Sequence, residues 1–211
     1  MMDLMATISR QMYVVPGGYY LANLFSKLIS VKAPSIRIIQ TPFHFKIKVD
    51  ISKYLGKKIY WRGSHDWNSI LAMKREIKND DIIFDIGANM GEYTLYAASM
   101  IQENGRVFAF EPVQKMYDIL SENIQLNPHL KDKIITFKKG LSHQKNTLPI
   151  FDEVDTNNEG VYSLYANNFK CAQSIENIET DTLDNIIAEY SISKVNFIKI
   201  DVEGIICFAR C

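Results

Sequence analysis

The sequence predicts a doubly wound α/β fold, and two observations support this prediction. Four apolar runs are too short to be helices and are typical of buried strands, at residues 82–85, 107–110, 134–137 and 195–200. Between these runs, apolar residues recur at helical spacing and the connections are short. Strands that alternate with helices in this way form a parallel sheet with helices on both faces. A chain of 211 residues is long enough to bury such a core.

A small N-terminal arm of one helix and one hairpin is predicted to precede this sheet. Apolar residues at helical spacing predict a short amphipathic helix over residues 19–29. Residues 43–49 alternate between apolar and polar, which is typical of a half-buried strand. Its predicted partner is the apolar run at residues 36–39, joined to it through Thr41 and Pro42.

Charge distinguishes this arm, residues 1–49, from residues 50–211, which we predict to form the domain that carries the function. The arm has six basic side chains and one acidic side chain, Asp3. Weak peripheral contact with an anionic membrane surface is one interpretation of this excess. A solvated basic arm packed on the domain is the other interpretation, and we favour it.

Capping and proline signals predict where the helices of the domain begin. Asp66 is the expected N-cap of a helix that ends near Ile77. Pro112 occupies the place where a helix favours its first proline, and Asp181 is the expected cap of the last helix. Residues 141–180 are polar and irregular, so only short strands are predicted there.

Composition excludes several classes of function. The formal net charge is +0, whereas a general nucleic-acid binder shows a basic excess, so no nucleic-acid partner is expected. The three cysteines are scattered, which favours a reducing, cytoplasmic location over a disulfide framework, and they lack the other ligands of a zinc site. No run is long enough to span a bilayer, so no transmembrane segment is predicted.

The chemistry is predicted at the carboxyl ends of the first two strands of the sheet, where open parallel sheets bind ligands. Asp85, Gly87 and Gly91 form a glycine-rich turn from the first strand into a helix, whose free N–H groups favour a negative group. Glu111 follows the second strand, where a carboxylate accepts hydrogen bonds from ribose hydroxyls. The pattern favours a nucleoside-bearing ligand over a tight turn without a ligand.

Two residues of the turn distinguish between possible nucleoside cofactors. Asn89 stands where the nicotinamide-binding fingerprint has its middle glycine, and Glu92 stands near its third glycine. A carboxylate at the start of the helix repels a pyrophosphate but tolerates a positively charged sulfonium. The turn therefore favours S-adenosylmethionine over NAD.

The wider set of motifs resembles the FkbM-like methyltransferases. These motifs are DIGANMGEYTLYAA from residue 85, VFAFEP from residue 107, GLS at 140–142, TLD at 182–184 and FIKIDVEG at 197–204. The resemblance covers roughly residues 54 to 204, in the order and spacing of that family. It implies a class I, Rossmann-like methyltransferase that uses S-adenosylmethionine, most often for O-methylation of saccharides or natural products.

The resemblance also implies how the cofactor is held. The methionine part would be bound by Asp85, Gly87, Asn89 and Gly91, and the ribose by Glu111. The residues after the third strand, Leu141 and Ser142, would lie beside the adenine.

For the acceptor, the resemblance points to Asp201 and Glu203 at the end of the fourth strand. Because side chains alternate along a strand, Lys199 lies on the same side as both carboxylates. A structural ion pair between Lys199 and Asp201 is therefore at least as good an interpretation of these residues as a catalytic role. The candidates for a base that takes the proton of an acceptor hydroxyl are Asp201, Glu203 and His65, in that order. A solvent-exposed loop residue is the other interpretation of His65.

The C-terminal end of the chain departs from the family pattern. After DVEG the family has a small residue and a glutamate, then a helix and further strands, whereas this chain has Ile206 at the position of the glutamate and ends at Cys211. The family sheet has the strand order 3-2-1-4-5-7-6, so strands 3-2-1-4 are expected here and the C-terminal half is expected to be incomplete. A non-catalytic fragment that binds the cofactor or a partner is therefore the alternative to an active enzyme.

Overall fold

The structure of the protein is a computed structural model. It describes residues 2–12, 35–153, 162–164 and 172–202. The helix predicted over residues 19–29 lies outside the described residues. In the ranges that are described, no helix combines the length and the apolar character needed to cross a bilayer.

The chain divides into two compact units. The first unit runs from Met1 to Lys74, and the second takes most of the chain from Arg75 onward. The boundary between the two compact units thus lies near Lys74. The boundary that the charge distribution predicts between arm and domain lies near residue 49.

The first unit contains the predicted hairpin and two helices that the sequence did not predict. Its elements are α1 (Met2–Met12), β1 (Ile36–Gln40), β2 (Lys46–Asp50) and α2 (Tyr54–Arg62), and α3 (Trp67–Glu76) begins in it. Strands β1 and β2 pair antiparallel, with Ile36 opposite Asp50. Asp66 caps α3 as predicted, because its Oδ1 accepts the backbone N–H of Asn68 at 3.0 Å.

The second strand of the hairpin begins later than predicted, at Lys46. Residues 41–45 form the turn instead, since the N–H of Thr41 donates to the carbonyl of Phe45 at 2.9 Å. Proline at position 42 has no N–H to donate to a ladder, which favours a turn at this point. Phe45, Ile47 and Val49 are buried, so the predicted apolar face is correct.

The second unit contains the predicted parallel sheet. Its strands are β3 (Ile82–Ile86), β4 (Arg106–Phe110), β5 (Ile134–Phe137) and β10 (Phe197–Ile200). Their order is β10-β3-β4-β5 and every pair is parallel, so the predicted order 3-2-1-4 is confirmed. The helices of this unit are α4 (Glu92–Met100), α5 (Gln114–Gln125), α6 (Pro128–Lys131) and α7 (Leu183–Glu189).

Both faces of this sheet carry helices. Phe84, Phe108 and Phe110 form an aromatic cluster on one face, against Ile186 of α7. On the other face, Thr94 of α4 donates its hydroxyl to Asp85 at 2.6 Å. The fold is therefore doubly wound, as predicted.

Strand β10 is not buried on both faces. Ile198 and Ile200 are 43% and 50% exposed, although the apolar run predicts a fully covered strand. Within the described part of the chain, β10 pairs with β3 alone, so it is the outermost strand of this sheet.

A second, mostly antiparallel sheet is formed by the region in which the sequence predicts only short strands. Its strands are β6 (Gly140–Leu141), β7 (Asn146–Glu153), β8 (Tyr162–Ser163) and β9 (Ala172–Asp181), in the order β6-β9-β7-β8; only β6 and β9 run parallel. The length of β9 was missed because most of its side chains are polar. Its Ile178 is nevertheless buried, with Ile150 of β7, against Val113 and Met116 at the start of α5.

We expect Gly56→Ala to destabilise the first unit, although alanine is the better helix former. A Cβ at position 56 would lie 2.1 Å from the carbonyl oxygen of Asp50, which is backbone and cannot move aside easily. Overpacking of this kind costs about 1–3 kcal/mol. Urea unfolding can be followed by the fluorescence of Trp61 and Trp67, the two tryptophans of the chain.

The control for this substitution is Gly140→Ala. The nearest atom to a Cβ at position 140 is 3.5 Å away, which is an ordinary contact, so far-UV circular dichroism should show nearly wild-type unfolding. An unchanged free energy of unfolding in Gly56→Ala would contradict the packing of α2 on β2.

Candidate functional site

The candidate site lies at the carboxyl ends of β3 and β4, where residues 87–91 form the turn into α4. Gly87, Asn89 and Gly91 have positive φ angles of 77°, 52° and 88°. The N–H groups of Gly87 and Ala88 both donate to the carbonyl of Phe110, at 3.0 and 2.9 Å. The end of β4 therefore fixes the path of the turn.

Glycine is required at position 87 by the approach of another strand. A Cβ there would lie 2.1 Å from the carbonyl oxygen of Asp201, which follows β10. At Gly91 a Cβ would lie 2.6 Å from Cδ1 of Leu120 in α5. Packing within the protein thus accounts for both glycines of the motif, in addition to their left-handed backbone conformation.

Glu111 connects the turn to the end of β4. Its side chain is 5% exposed, and its Oε2 and Oε1 accept the backbone N–H groups of Asn89 at 2.8 Å and Val113 at 3.0 Å. Burial raises the pKa of Glu111 to about 7, although these two hydrogen bonds act in the opposite direction. Each carboxylate oxygen retains a second lone pair, so Glu111 is able to accept hydrogen bonds from ribose hydroxyls as well.

Asp85 lies beneath the turn. It is 1% exposed, and its Oδ2 accepts the hydroxyl proton of Thr94. Its Oδ1 forms an ion pair with Nζ of Lys199, at 3.1 Å. The carboxylate that is predicted to hold the methionine part is thus covered by protein atoms in this structure.

Asp201 is the accessible carboxylate of the site. Its side chain is 66% exposed and its Oδ2 lies 4.0 Å from Nζ of Lys199. Its backbone N–H donates to the carbonyl of Ile86 at 3.0 Å, which holds it beside the turn. Glu203, the second predicted carboxylate, lies outside the described residues.

The two residues predicted beside the adenine lie at the end of β6. Leu141 is half-buried against the cluster that contains Phe110. The N–H of Ser142 donates to the carbonyl of Asp181 at 2.9 Å, which ties the end of β6 to β9. Both residues belong to the second unit, as do the turn and Glu111.

His65 belongs to the first unit, where it precedes Asp66 at the start of α3. The other predicted site residues belong to the second unit. Within the second unit, the structure brings together Asp85, the turn, Glu111 and Asp201.

Three residues support the turn: Thr94, Lys199 and Asn123. Sequence reasoning gave no role to Thr94 or Asn123, and it assigned Lys199 to an ion pair with Asp201. Asn123 of α5 is fully buried and donates from Nδ2 to the carbonyl of Met90 at 2.8 Å. Asn127 donates in turn to the carbonyl of Asn123. One feature of the sequence could have identified Asn123: it is a polar side chain on the apolar face of a helix. A polar side chain that is buried there requires a hydrogen-bond partner.

No trio of histidine, cysteine, aspartate or glutamate side chains with the arrangement of a metal site occurs among the described residues. Several polar side chains of the site hold backbone atoms of the turn in place, among them Glu111, Lys199 and Asn123.

Comparison with known proteins identifies the same part of the chain. The family model described as "Methyltransferase FkbM domain" matches residues 85–205, which is more than half of the chain. This range begins at the turn and includes the second sheet and Asp201.

Two curated relatives are methyltransferases. The hexuronic acid methyltransferase AglP of Haloferax volcanii is 27% identical over 143 residues, which cover 68% of this chain and 53% of the relative. The methyltransferase sdnD of Sordaria araneosa is 27% identical over 154 residues, covering 61% of this chain and 58% of the relative. The chain thus spans about half the length of these relatives.

Among solved structures, the methyltransferase FkbM from Methylobacillus flagellatus KT is 17% identical, with a TM-score of 0.39. The match covers 60% of this chain and 26% of that chain.

We expect the titration of Glu111 to make the second unit less stable as the pH rises. Its pKa is about 7 in the folded protein against an ordinary value of 4.5, so the folded state retains a proton that the unfolded state releases. The stabilisation is complete below the unfolded pKa and is lost as the pH rises through about 7. Between pH 5 and pH 8 the loss is about 2–3 kcal/mol.

Urea unfolding of wild type and Glu111→Gln at both pH values measures this effect. The wild-type free energy of unfolding should fall more than that of the variant by the stated amount. Glu179→Gln removes an exposed carboxylate of β9 and should retain the wild-type pH dependence. Equal pH dependence in wild type and Glu111→Gln would contradict the assignment.

Proposed function

The chain belongs to the FkbM methyltransferase family, and we propose that it is an enzyme that transfers the methyl group of S-adenosylmethionine to a hydroxyl oxygen of a saccharide or natural product. The cofactor assignment rests on the position of Glu111. Its buried carboxylate lies at the end of β4 and is joined directly to the glycine turn at Asn89.

The charges of the site fit this cofactor better than they fit a dinucleotide. Glu92 is the first residue of α4 and is buried, so a carboxylate already occupies the end of the helix where a pyrophosphate would bind. The ammonium of Lys199 is paired with Asp85. These charges tolerate a cationic sulfonium and oppose an additional phosphate group.

The described residues would hold the cofactor in three parts. Glu111 would bind the ribose hydroxyls, and the turn from Gly87 to Gly91 would bind the methionine part. Leu141 and Ser142 would lie beside the adenine. S-adenosylmethionine supplies a methyl group that is already activated for displacement, so the protein mainly aligns the acceptor and accepts its proton.

Asp201 is the first candidate for accepting that proton. Its exposed side chain at the end of β10 is accessible to an acceptor, whereas Asp85 and Glu111 are covered. Glu203 and His65 are the further candidates. The relative AglP is a hexuronic acid methyltransferase. The first acceptor to test is therefore a uronic acid or a saccharide that contains one.

We expect the chain to bind S-adenosylhomocysteine, the demethylated product, and Glu111→Ala to weaken this binding. Hydrogen bonds to a charged group contribute about 1.5–3 kcal/mol, which corresponds to a loss of affinity of about 10- to 150-fold. Isothermal titration calorimetry on folded protein measures the effect. Glu179→Ala is the matched control and should bind as wild type does. Wild-type affinity in folded Glu111→Ala would refute the role of Glu111 with the ribose.

We expect Asp201→Asn to bind the product with nearly wild-type affinity and to transfer methyl groups about 10²- to 10⁴-fold more slowly, which is the usual contribution of a positioned base. The assay follows labelled methyl groups from the donor to a uronic acid acceptor. Asp132→Asn, an exposed carboxylate after α6, is the control. Cofactor binding by wild type without transfer to any saccharide or natural-product hydroxyl would favour the alternative, a non-catalytic binding fragment.

A further inference from the structure

Lys199 lies opposite Asp85 in the parallel register of β10 and β3. Its side chain is 12% exposed, and its ammonium donates a hydrogen bond to the carbonyl oxygen of Gly87 at 2.8 Å. Nζ also lies 4.7 Å from the centre of the ring of Tyr93, in the first turn of α4. One half-buried cation thus contacts the strand, the turn and the helix that follows it.

The contacts of this cation are of two kinds. The approach to Oδ1 of Asp85 is an ion pair without the alignment of a hydrogen bond, whereas the contact with Gly87 is a hydrogen bond. Asp85 therefore compensates the charge of the half-buried ammonium, and the directed interaction is with the backbone of the turn. A buried ammonium without such a carboxylate would be strongly unfavourable.

We propose that Lys199 is a positioning residue for S-adenosylmethionine, which acts by fixing the carbonyl of Gly87 and with it the conformation of residues 87–91. Glycine has the greatest backbone freedom of any residue, so an unrestrained turn would lose more entropy when a ligand binds. An ammonium that holds the carbonyl in advance lowers this loss, and preorganisation of this kind raises affinity. The proposal rests on the proposed function, since it concerns the same cofactor.

A purely structural role is the competing explanation. In that case the pair of Lys199 and Asp85 only joins β10 to β3, and an uncharged pair of similar shape would replace it without effect on the ligand. The two roles differ because stability depends on charge compensation at Asp85, whereas positioning depends on the hydrogen bond to Gly87.

The test uses Lys199→Met, Asp85→Asn and the double variant in the full 211-residue chain. Lys199→Met leaves the buried carboxylate of Asp85 without its cation, and Asp85→Asn leaves Lys199 with only the exposed carboxylate of Asp201 at 4.0 Å. We therefore expect the thermal unfolding midpoint of each single variant to fall, by roughly 10 °C for Lys199→Met. The double variant removes both charges, and the asparagine oxygen still accepts the hydroxyl of Thr94. Its midpoint should return to within about 3 °C of wild type.

Affinity for S-adenosylhomocysteine, measured by calorimetry, decides between the two roles. We expect the double variant to bind about tenfold or more weakly than wild type in spite of its restored stability, because the hydrogen bond to Gly87 is absent. Wild-type affinity in the stable double variant would overturn the proposal. The double variant keeps the test decisive even if Lys199→Met does not fold.

The matched control is Lys133→Met. Lys133 also donates from Nζ to a backbone carbonyl, that of Ile101 at 2.7 Å, but it precedes β5 at the opposite edge of the sheet. Its loss should leave affinity unchanged, and an equal loss of affinity in this control would also overturn the proposal. If wild type itself does not bind S-adenosylhomocysteine, it is the proposed function that fails.

Discussion

The close approach of two backbones at the end of β3 is the constraint on which the rest of the site depends. The carbonyl of Asp201 lies where a Cβ of residue 87 would be, so β10 can pair with β3 at this point only if residue 87 is glycine. The same contact brings the exposed carboxylate of Asp201 next to the turn. The carbonyl of Phe110 accepts both N–H groups at the start of the turn and fixes its other side. A single backbone geometry therefore positions the glycine turn and the proposed base together.

Burial differs among three of the described carboxylates of the site, Asp85, Glu111 and Asp201, and gives them different surroundings. Asp85 is fully covered and compensates Lys199, so it acts on the turn through that side chain. Glu111 is also covered, but its oxygens accept two backbone N–H groups, and its raised pKa shows that burial outweighs them. Asp201 remains in contact with solvent. Of these three described carboxylates, only Asp201 has the access to a substrate that a proton acceptor requires.

The antiparallel sheet supports the site through α5. Glu176 of β9 accepts the N–H of Gln114 at 2.9 Å and so caps the start of this helix. The buried Ile150 and Ile178 pack near the same end of α5, together with the half-buried Val202 that follows Asp201. Farther along α5, Asn123 holds the carbonyl of Met90 in the turn. The second sheet thus restrains both the turn and the end of β10 without contributing a charged group to either.

The sequence by itself determined the parallel sheet and the position of the glycine turn, because apolar runs and glycine spacing are local patterns. The strand order was expected only from the resemblance to the FkbM-like family. It also identified Glu111 as the carboxylate at the end of β4. Only the tertiary structure decided that Asp85 is covered and that Lys199 donates to Gly87, because these depend on which side chains meet across strands more than a hundred residues apart. The length of β9 likewise could not be predicted from the sequence. A mostly polar strand is stabilised by its neighbours in the sheet and has little apolar pattern of its own.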